Sequence, residues 1–221
     1  MEFFQVIFKN SFLLIHGAML TIQTMLCATA ISLSIGIIFG IISCNMLKIP
    51  FLSKVIEYFT FALRSIPFYV QLLIVYFVFP DLFGFNFEPF LASIISLGMC
   101  SAGYVAQIVR AGINSIPVNQ WENAYTLGYS IFQTLKNIIL PQMFRNVLPA
   151  FNNEFDSLLK STAITSSIGM LELTRMGMNI VSRQMQPVPI YLSIAGIYVL
   201  FSIFMNIIFK AIESKISYVK N

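Results

Sequence analysis

Three charged side chains, Glu154, Asp156 and Lys160, lie close together in a stretch otherwise made largely of Leu, Phe and small residues. A charge at the centre of a bilayer costs about 2.5–3.5 kcal/mol on insertion scales, so three cost roughly 8–10 kcal/mol. The apolar neighbours return about 4 kcal/mol, at roughly 0.5 kcal/mol each. If this stretch lies in a membrane, it must face the interior of a helix bundle or a wet cavity.

The spacing of these residues predicts two different environments. Asp156 and Lys160 are four residues apart with the acid first, which favours an ion pair on one helix face. Asn153 lies on the same face, whereas Glu154 lies about 100° away and has no partner within its own helix. A carboxylate in a membrane path can bind the ammonium group of a substrate. Three roles stay open for Glu154: binding a substrate, contacting a partner chain and forming a structural hydrogen bond. Asn153 and Asp156 are further candidates for residues that line the path.

Two further pairs of residues are candidates for a role in the path or in the shape of a helix. Tyr104 and Gln107 are three residues apart, so they share a helix face and either line the path or pack against a neighbour. Arg64 precedes Pro67 by three residues at the start of an apolar run. This pattern predicts an interface anchor followed by a helix kink.

Metal and nucleotide sites are not indicated by the sequence. There is one histidine, His16, and the three cysteines, Cys27, Cys44 and Cys100, lie in apolar stretches without metal-ligand spacing. The sequence has no G-x-x-x-x-G-K-[ST] loop to hold the phosphates of ATP. We therefore predict that this chain binds no metal or cofactor. The single histidine and the scattered acids also argue against an intramembrane enzyme.

The composition requires a membrane environment. Of 221 residues, 57% are hydrophobic and only 10% are charged, and the mean hydropathy is +0.82. Soluble domains carry about 25% charged residues, so a soluble domain and a disordered chain are both excluded. The net charge of +4 comes from cations spread singly along the chain, which does not indicate nucleic acid binding. We predict an all-α integral membrane protein whose residues 1–221 form a single domain.

Charged residues mark the ends of the apolar runs, and these runs predict five membrane-spanning helices. The segment Phe3–Leu14 is rich in phenylalanine and is predicted to lie on the membrane surface as an interfacial helix. Gly36 and Gly40 form a small-xxx-small pair that favours close packing against another helix. The predicted spans are residues 18–45, 57–80, 89–112, 141–164 and 188–210.

Five spans place the two termini on opposite sides of the membrane. The positive-inside rule puts the N-terminus outside and the C-terminus in the cytoplasm, because that orientation leaves only Lys9, Arg175 and Arg183 outside. The cations on the inner side are then Lys48, Lys54, Arg64, Arg110, Lys136, Arg145, Lys210, Lys215 and Lys220.

The longest inner segment, residues 115–140, is too polar to span the membrane. A first short helix is predicted to start near Pro117, and Gly128 is predicted to separate it from a second helix over 130–137. Two short amphipathic helices joined by a turn on the cytoplasmic face would form a docking surface.

This segment resembles the cytoplasmic loop of permeases from ABC importers. The family signature is Glu-Ala-Ala, three residues, Gly, nine residues, Ile, any residue and Leu-Pro. Every fixed spacing is met here, and Asn123 stands in place of one of the two Ala residues. The matching residues are Glu122, Ala124, Gly128, Ile138, Leu140 and Pro141.

The resemblance implies that ATP and Mg²⁺ bind to a separate ATPase chain, which docks on this loop. Glu122 would offer a charge to that partner, and Gly128 would supply the tight turn. Trp121, Ala124 and Leu127 would supply an apolar face.

Within this class the chain is similar to the permeases for polar amino acids. Ala62–Leu72 resembles the entry to that family's second span, Ser101–Gln120 its third span and exit, and Pro149–Leu173 its fourth span and outer loop. Gln107 and Ser161 stand where the family usually has acids, and Asp156 replaces an apolar residue.

The resemblance implies an assembly in the bacterial cytoplasmic (inner) membrane. Its partners would be an ATPase dimer, a second permease chain, an extracytoplasmic binding protein that contacts Leu171–Pro189, membrane lipid and a polar amino acid. A stand-alone carrier or channel for small polar solutes is the alternative, and it would leave the cytoplasmic motif without a role.

Overall fold

A computed structural model describes the backbone of residues 2–217 and the side chains of residues 4–215. This part of the chain is helical and contains no β-strand. Short 3₁₀ or π segments connect some of the helices. The helices are α1 (Glu2–Ile42), α2 (Pro50–Ser65), α3 (Phe68–Leu73), α4 (Phe79–Phe83), α5 (Pro89–Asn114), α6 (Val118–Thr126), α7 (Ile131–Thr134), α8 (Leu140–Ser161), α9 (Leu173–Gln184) and α10 (Pro187–Ser217).

The first helix is longer than the sequence pattern suggested. Its 41 residues correspond to about 61 Å, twice the thickness of a hydrocarbon core. The predicted interfacial helix at Phe3–Leu14 is therefore wrong as a separate element, because this segment forms the first turns of α1. No glycine or proline interrupts the chain there. The carboxamides of Asn10 and Gln184 exchange two hydrogen bonds of 3.0 Å, which tie this end of α1 to α9.

The predicted second span, 57–80, is not one straight helix. Pro50–Ser65 and Phe68–Phe83 meet at an angle of 101°. Pro67 causes the break, because it has no N–H to donate and disfavours helical geometry at the residue before it. Gln71 Nε2 donates to the carbonyl oxygens of Leu63 at 2.7 Å and of Ile66 at 2.8 Å. The side chain thus satisfies carbonyl groups that the break leaves without a helical partner. The predicted kink at Pro67 is confirmed.

Helix α5 lies at the centre of the bundle and packs against α1, α2 and α8. Its close contact with α1 depends on two glycines. A Cβ atom added to Gly36 would lie 2.5 Å from Cγ1 of Val105, and one added to Gly40 would lie 2.6 Å from Cβ of Val109. The small-xxx-small prediction is confirmed.

Three helical segments among the described residues are long and apolar enough to cross a membrane, namely Phe4–Ile42, Pro89–Asn114 and Pro187–Lys215. The bent pair Pro50–Ser65 and Phe68–Phe83 supplies a fourth crossing if it counts as one span. Helix α8, the predicted fourth span, lies against α5 and α10 but is amphipathic. The number of five spans stays a prediction.

The predicted outer segment Leu171–Pro189 contains α9, which is anchored by Glu172. This carboxylate is fully buried and accepts hydrogen bonds from the N–H groups of Thr174 and Arg175 and from the hydroxyl of Tyr198. The hydroxyl of Thr21 in α1 accepts a hydrogen bond of 3.1 Å from the N–H of Leu173. The start of α9 is therefore fixed to both α1 and α10.

Candidate functional site

The predicted docking loop forms two helices around a tight turn. Gly128 has a φ of +78°, a conformation that glycine adopts without steric cost. The N–H groups of Gly128 and Tyr129 donate to carbonyl oxygens in the last turn of α6 and close that helix. Ser130 and Gln133 form a reciprocal capping box at the start of α7. The second helix does not end near residue 137, as predicted, because α7 continues through a π-helical turn into α8.

The exposed face of this loop differs from the predicted one. Trp121 and Ala124 are each 1% exposed, so they cannot contribute to an apolar surface for a partner. Leu127 is 74% exposed, and Glu122 is exposed as well. We name the α6–α7 segment and its turn the knob. The other large apolar or aromatic side chains exposed on the knob are Val118, Tyr125, Tyr129, Ile131 and Phe132.

The buried side of the knob joins it to the bundle. Trp121 belongs to the same apolar cluster as Ile113 of α5 and Met143 of α8. Ile138 and Leu140 also pack against this cluster, whereas Pro141 is exposed. The knob is therefore packed against both α5 and α8. Trp121, which the sequence assigned to the surface, makes this connection.

A cleft of about 630 Å³, lined by both apolar and polar side chains, lies between α5 and α8. It brings together four of the five residues predicted for the path. These residues are Tyr104, Gln107, Asn153 and Glu154. A second cleft of about 330 Å³ continues along the same groove. Tyr104 and Glu154 line both clefts, so the groove is continuous past these two side chains.

Glu154 is held by a chain of hydroxyl groups that crosses three helices. The hydroxyl of Ser32 in α1 donates to that of Ser101 in α5 at 2.9 Å, and Ser101 donates to Oε1 of Glu154 at 2.7 Å. These bonds fix the carboxylate in place without neutralising it. Sequence reasoning missed both serines, because they lie 122 and 53 residues from Glu154 and small hydroxyl residues are common in such helices.

Asp156 does not line the groove. Its Oδ2 lies 2.5 Å from Nζ of Lys160, which agrees with the predicted ion pair, and its Oδ1 accepts a 2.6 Å hydrogen bond from Ser202 of α10. Asn152 donates to Asn206, also on α10, at 2.7 Å. This side of α8 is therefore joined to α10, whereas the side that carries Glu154 faces the groove.

Arg64 lies near the bend, and its side chain also contacts α5. Its Nε donates to the carbonyl oxygen of Thr60 at 3.2 Å, and its Nη1 donates to Oε1 of Gln107. The hydroxyl of Tyr104 donates weakly to the carbonyl oxygen of Arg64 at 3.4 Å. Arg64 thus links α2 to two of the residues predicted for the path, in addition to its position next to the kink.

Metal ligands do not converge within the part of the chain that the structure describes. No group of three or more His, Cys, Asp or Glu side chains there could hold a metal ion. Cys27, Cys44 and Cys100 are free. The polar groups that line the groove are one carboxylate, carboxamides, hydroxyl groups, the thiol of Cys100 and a guanidinium group.

Comparisons with known proteins match most of this chain. The arginine transport system permease protein ArtQ of Bacillus subtilis is 33% identical over 207 residues, which cover 92% of each chain. The L-cystine transport system permease protein TcyB of the same organism is 34% identical over 191 residues, or 85% of this chain and 81% of its own.

Solved structures agree with these relatives. An amino acid ABC transporter crystallised with histidines has a TM-score of 0.85 at 32% identity and covers 95% of this chain and 96% of its own. The MetNI methionine ABC transporter in an inward-facing conformation has a TM-score of 0.82 at 17% identity, over 94% of this chain and 98% of its own, and shares the fold. Residues 32–218 match the family model for the binding-protein-dependent transport system inner membrane component. The chain therefore belongs to this family of membrane permeases.

Proposed function

We propose that this chain is the permease subunit of an ATP-driven ABC importer for polar amino acids. The observation that carries the proposal is the groove between α5 and α8, where Glu154 offers a carboxylate next to Tyr104 and Asn153. Relatives that are similar over most of the chain are named for the transport of arginine and of cystine. A substrate of this class always has an ammonium group, which a fixed carboxylate can bind.

The groove is open along one side, and a second permease chain would close it. Tyr104 is 40% exposed, although it lies on the central helix of the bundle, and Gln107 and Asn153 are exposed too. A row of polar side chains is costly in contact with lipid. Two copies of the chain, or this chain and a homologous one, would place two such grooves face to face around a polar path.

The knob would be the docking site of the ATPase dimer, which binds ATP and Mg²⁺. Glu122 and Leu127 are exposed there, and Trp121 anchors the knob to the core. Closure of the two ATPase chains would move the knobs and, through Trp121, the helices that line the path. In this arrangement the permease does not catalyse a reaction.

The orientation follows from the knob, which must face the cytoplasm to contact the ATPase. The N-terminus would then be outside and the C-terminus inside, as the distribution of cations predicts. Helix α9 and the segment Leu171–Pro189 would face the extracytoplasmic binding protein. Leu171, Met178 and Met185 are exposed on this segment and are available for that contact.

The experiment is uptake of radiolabelled amino acids into proteoliposomes that contain the permease, its ATPase and its binding protein. Glu154→Gln removes the carboxylate and is expected to raise the KM for the transported amino acid by about 10- to 100-fold, the equivalent of one charged hydrogen bond of 1.5–3 kcal/mol. Asp156→Asn is the matched control, because Asp156 faces α10. We expect its KM to stay within twofold of the original protein.

Three results would contradict the proposal. An unchanged KM in Glu154→Gln would exclude this carboxylate from the path. Equal changes in both variants would indicate a general structural effect rather than a contact with the substrate. Uptake that continues without ATP would favour a stand-alone carrier or channel.

A further inference from the structure

A cleft that adjoins the groove contains a cluster of basic side chains. It has a volume of about 470 Å³ and lies where the α1–α2 connection, α2 and α5 meet. Four cations and one carboxylate line it, together with aromatic and hydroxyl groups. The cations come from three separate stretches of the chain. The charged lining residues are Lys48, Lys54, Glu57, Arg64 and Arg110.

The cleft lies at a membrane interface. The apolar segments Phe4–Ile42 and Pro89–Asn114 both end beside it. Their ends are joined, since the N–H of Asn45 donates to Oδ1 of Asn114 at 3.0 Å. Two spans that end together must end at the same membrane surface. Lys48 and Arg110 are within a few residues of these ends, at the level of lipid headgroups.

The cleft carries more positive than negative charge, because four cations and only one carboxylate line it. Glu57 lies 3.3 Å from Nζ of Lys48 and 3.2 Å from Nη1 of Arg110, so one carboxylate serves two cations. The ammonium group of Lys54 has no ion pair or hydrogen bond within the described part of the chain. Lys54 lines the same cleft. Positive charges held this close repel one another unless an anion lies between them.

Exposed aromatic side chains lie on α2, the helix that carries Lys54 and Glu57 of the cleft. Phe51 is 81% exposed, Tyr58 is 75% exposed and Phe61 is 61% exposed, and all three lie on α2. Tyr58 and Phe61 also line the cleft. Aromatic residues are favoured at the membrane interface, where one side meets acyl chains and the other meets headgroups. The surroundings therefore suit a ligand with a charged head and an apolar tail.

We propose that this cleft binds the phosphate of an anionic phospholipid headgroup. Lys48, Lys54 and Arg110 contact the phosphate, and the exposed face of α2 contacts the acyl chains. A soluble phosphate compound would offer the same anion without the apolar contacts. The cleft adjoins the groove, because Gln107 also lines the larger cleft of the groove and Arg64 the smaller one. The proposal is nevertheless independent of the transported substrate, because Lys48, Lys54 and Arg110 do not line the groove.

The test is native mass spectrometry of the purified complex after exposure to phosphatidylglycerol or phosphatidylcholine in detergent. We expect one phosphatidylglycerol to be retained in preference to phosphatidylcholine. The double substitution K48Q/K54Q is expected to weaken this binding about 30-fold, because each lysine near an anionic headgroup contributes about 1 kcal/mol. K210Q/K215Q removes two exposed lysines from α10 and serves as the control, with binding unchanged.

A second variant gives a change in the opposite direction. Glu57→Gln removes the carboxylate that forms ion pairs with Lys48 and Arg110. Both cations are then free to bind the phosphate, so we expect phosphatidylglycerol to bind more tightly. A merely structural role of Glu57 would not produce tighter binding. This variant decides the question even if K48Q/K54Q does not fold.

Inorganic phosphate added at millimolar concentration distinguishes the two sources of the anion. If it leaves phosphatidylglycerol bound, the lipid is the ligand, as proposed. Displacement by inorganic phosphate at that concentration would overturn the lipid assignment. Equal retention of phosphatidylcholine, or equal losses in K48Q/K54Q and K210Q/K215Q, would overturn the site itself.

Discussion

Substituting Gly128 with aspartate separates the docking role of the knob from its folding. Gly128 has a φ of +78°, and an added Cβ atom meets no atom within 4 Å. The cost to folding is therefore the left-handed backbone alone, about 1–2 kcal/mol for an ordinary residue and less for aspartate. Such a cost is small beside a typical stability of roughly 5–15 kcal/mol. We expect Gly128→Asp to fold and insert into the membrane.

The effect on coupling should be much larger. The new carboxylate would lie on a surface that presents Leu127, 74% exposed, and Phe132, 68% exposed. An ATPase docked there would bury an unpaired charge, which costs about 2–5 kcal/mol. This range corresponds to a loss of affinity of roughly 30-fold or more. Coupled uptake should therefore fall to background.

Gly84 provides a matched control. It has a φ of +74°, and an added Cβ atom there also meets no atom within 4 Å. It lies between α4 and α5, at the opposite end of α5 from the knob, so Gly84→Asp imposes the same backbone cost without affecting the docking surface. The assay is ATP-dependent uptake in proteoliposomes together with the amount of ATPase that copurifies. Equal uptake in the two variants, whether normal or lost, would refute the reasoning.

Two further predictions concern the fold. Gly36→Ala should lower the thermal stability relative to Gly196→Ala by about 1–3 kcal/mol, because the first Cβ atom would lie 2.5 Å from Val105 and the second meets no atom within 4 Å. Both changes gain the same helix propensity, so equal unfolding temperatures in detergent would contradict the close α1–α5 contact. For Glu172, burial raises the pKa above its ordinary value of 4.5. A raised pKa favours the protonated folded state, so the stability from this group is present below pH 4.5 and is lost as the pH rises above it. Glu172→Gln should therefore gain stability over the original protein as the pH increases, and a difference that does not vary with pH would disprove this assignment.

Local patterns in the sequence predicted the features that depend on neighbouring residues. The kink at Pro67 and the ion pair of Asp156 with Lys160 both follow from rules that act within one or two turns of a helix. The turn at Gly128 follows from backbone sterics in the same way. The predicted span 89–112 agrees closely with α5, and the predicted span 188–210 agrees with the start of α10, which continues beyond it to Ser217.

The features that sequence reasoning missed depend on contacts between distant residues. The hydroxyl chain to Glu154 joins three helices, and no pattern within any one of them indicates it. Trp121 was assigned to the apolar face that the docking loop presents to a partner, yet the loop folds so that its ring enters the core. Asp156 and Glu154 are two residues apart, and only the positions of α5 and α10 decide which one faces the groove.

The most direct test of the account is to purify the tagged permease from native membranes in mild detergent and to identify the chains that copurify by mass spectrometry. The account predicts that an ATPase with a phosphate-binding loop copurifies with the original protein and with Gly84→Asp, and is lost from Gly128→Asp. A second permease chain in the same sample would show whether the path is formed by two identical or two homologous subunits. If the intact permease purifies alone, under conditions that preserve other membrane complexes, the account of an ATP-driven importer is contradicted.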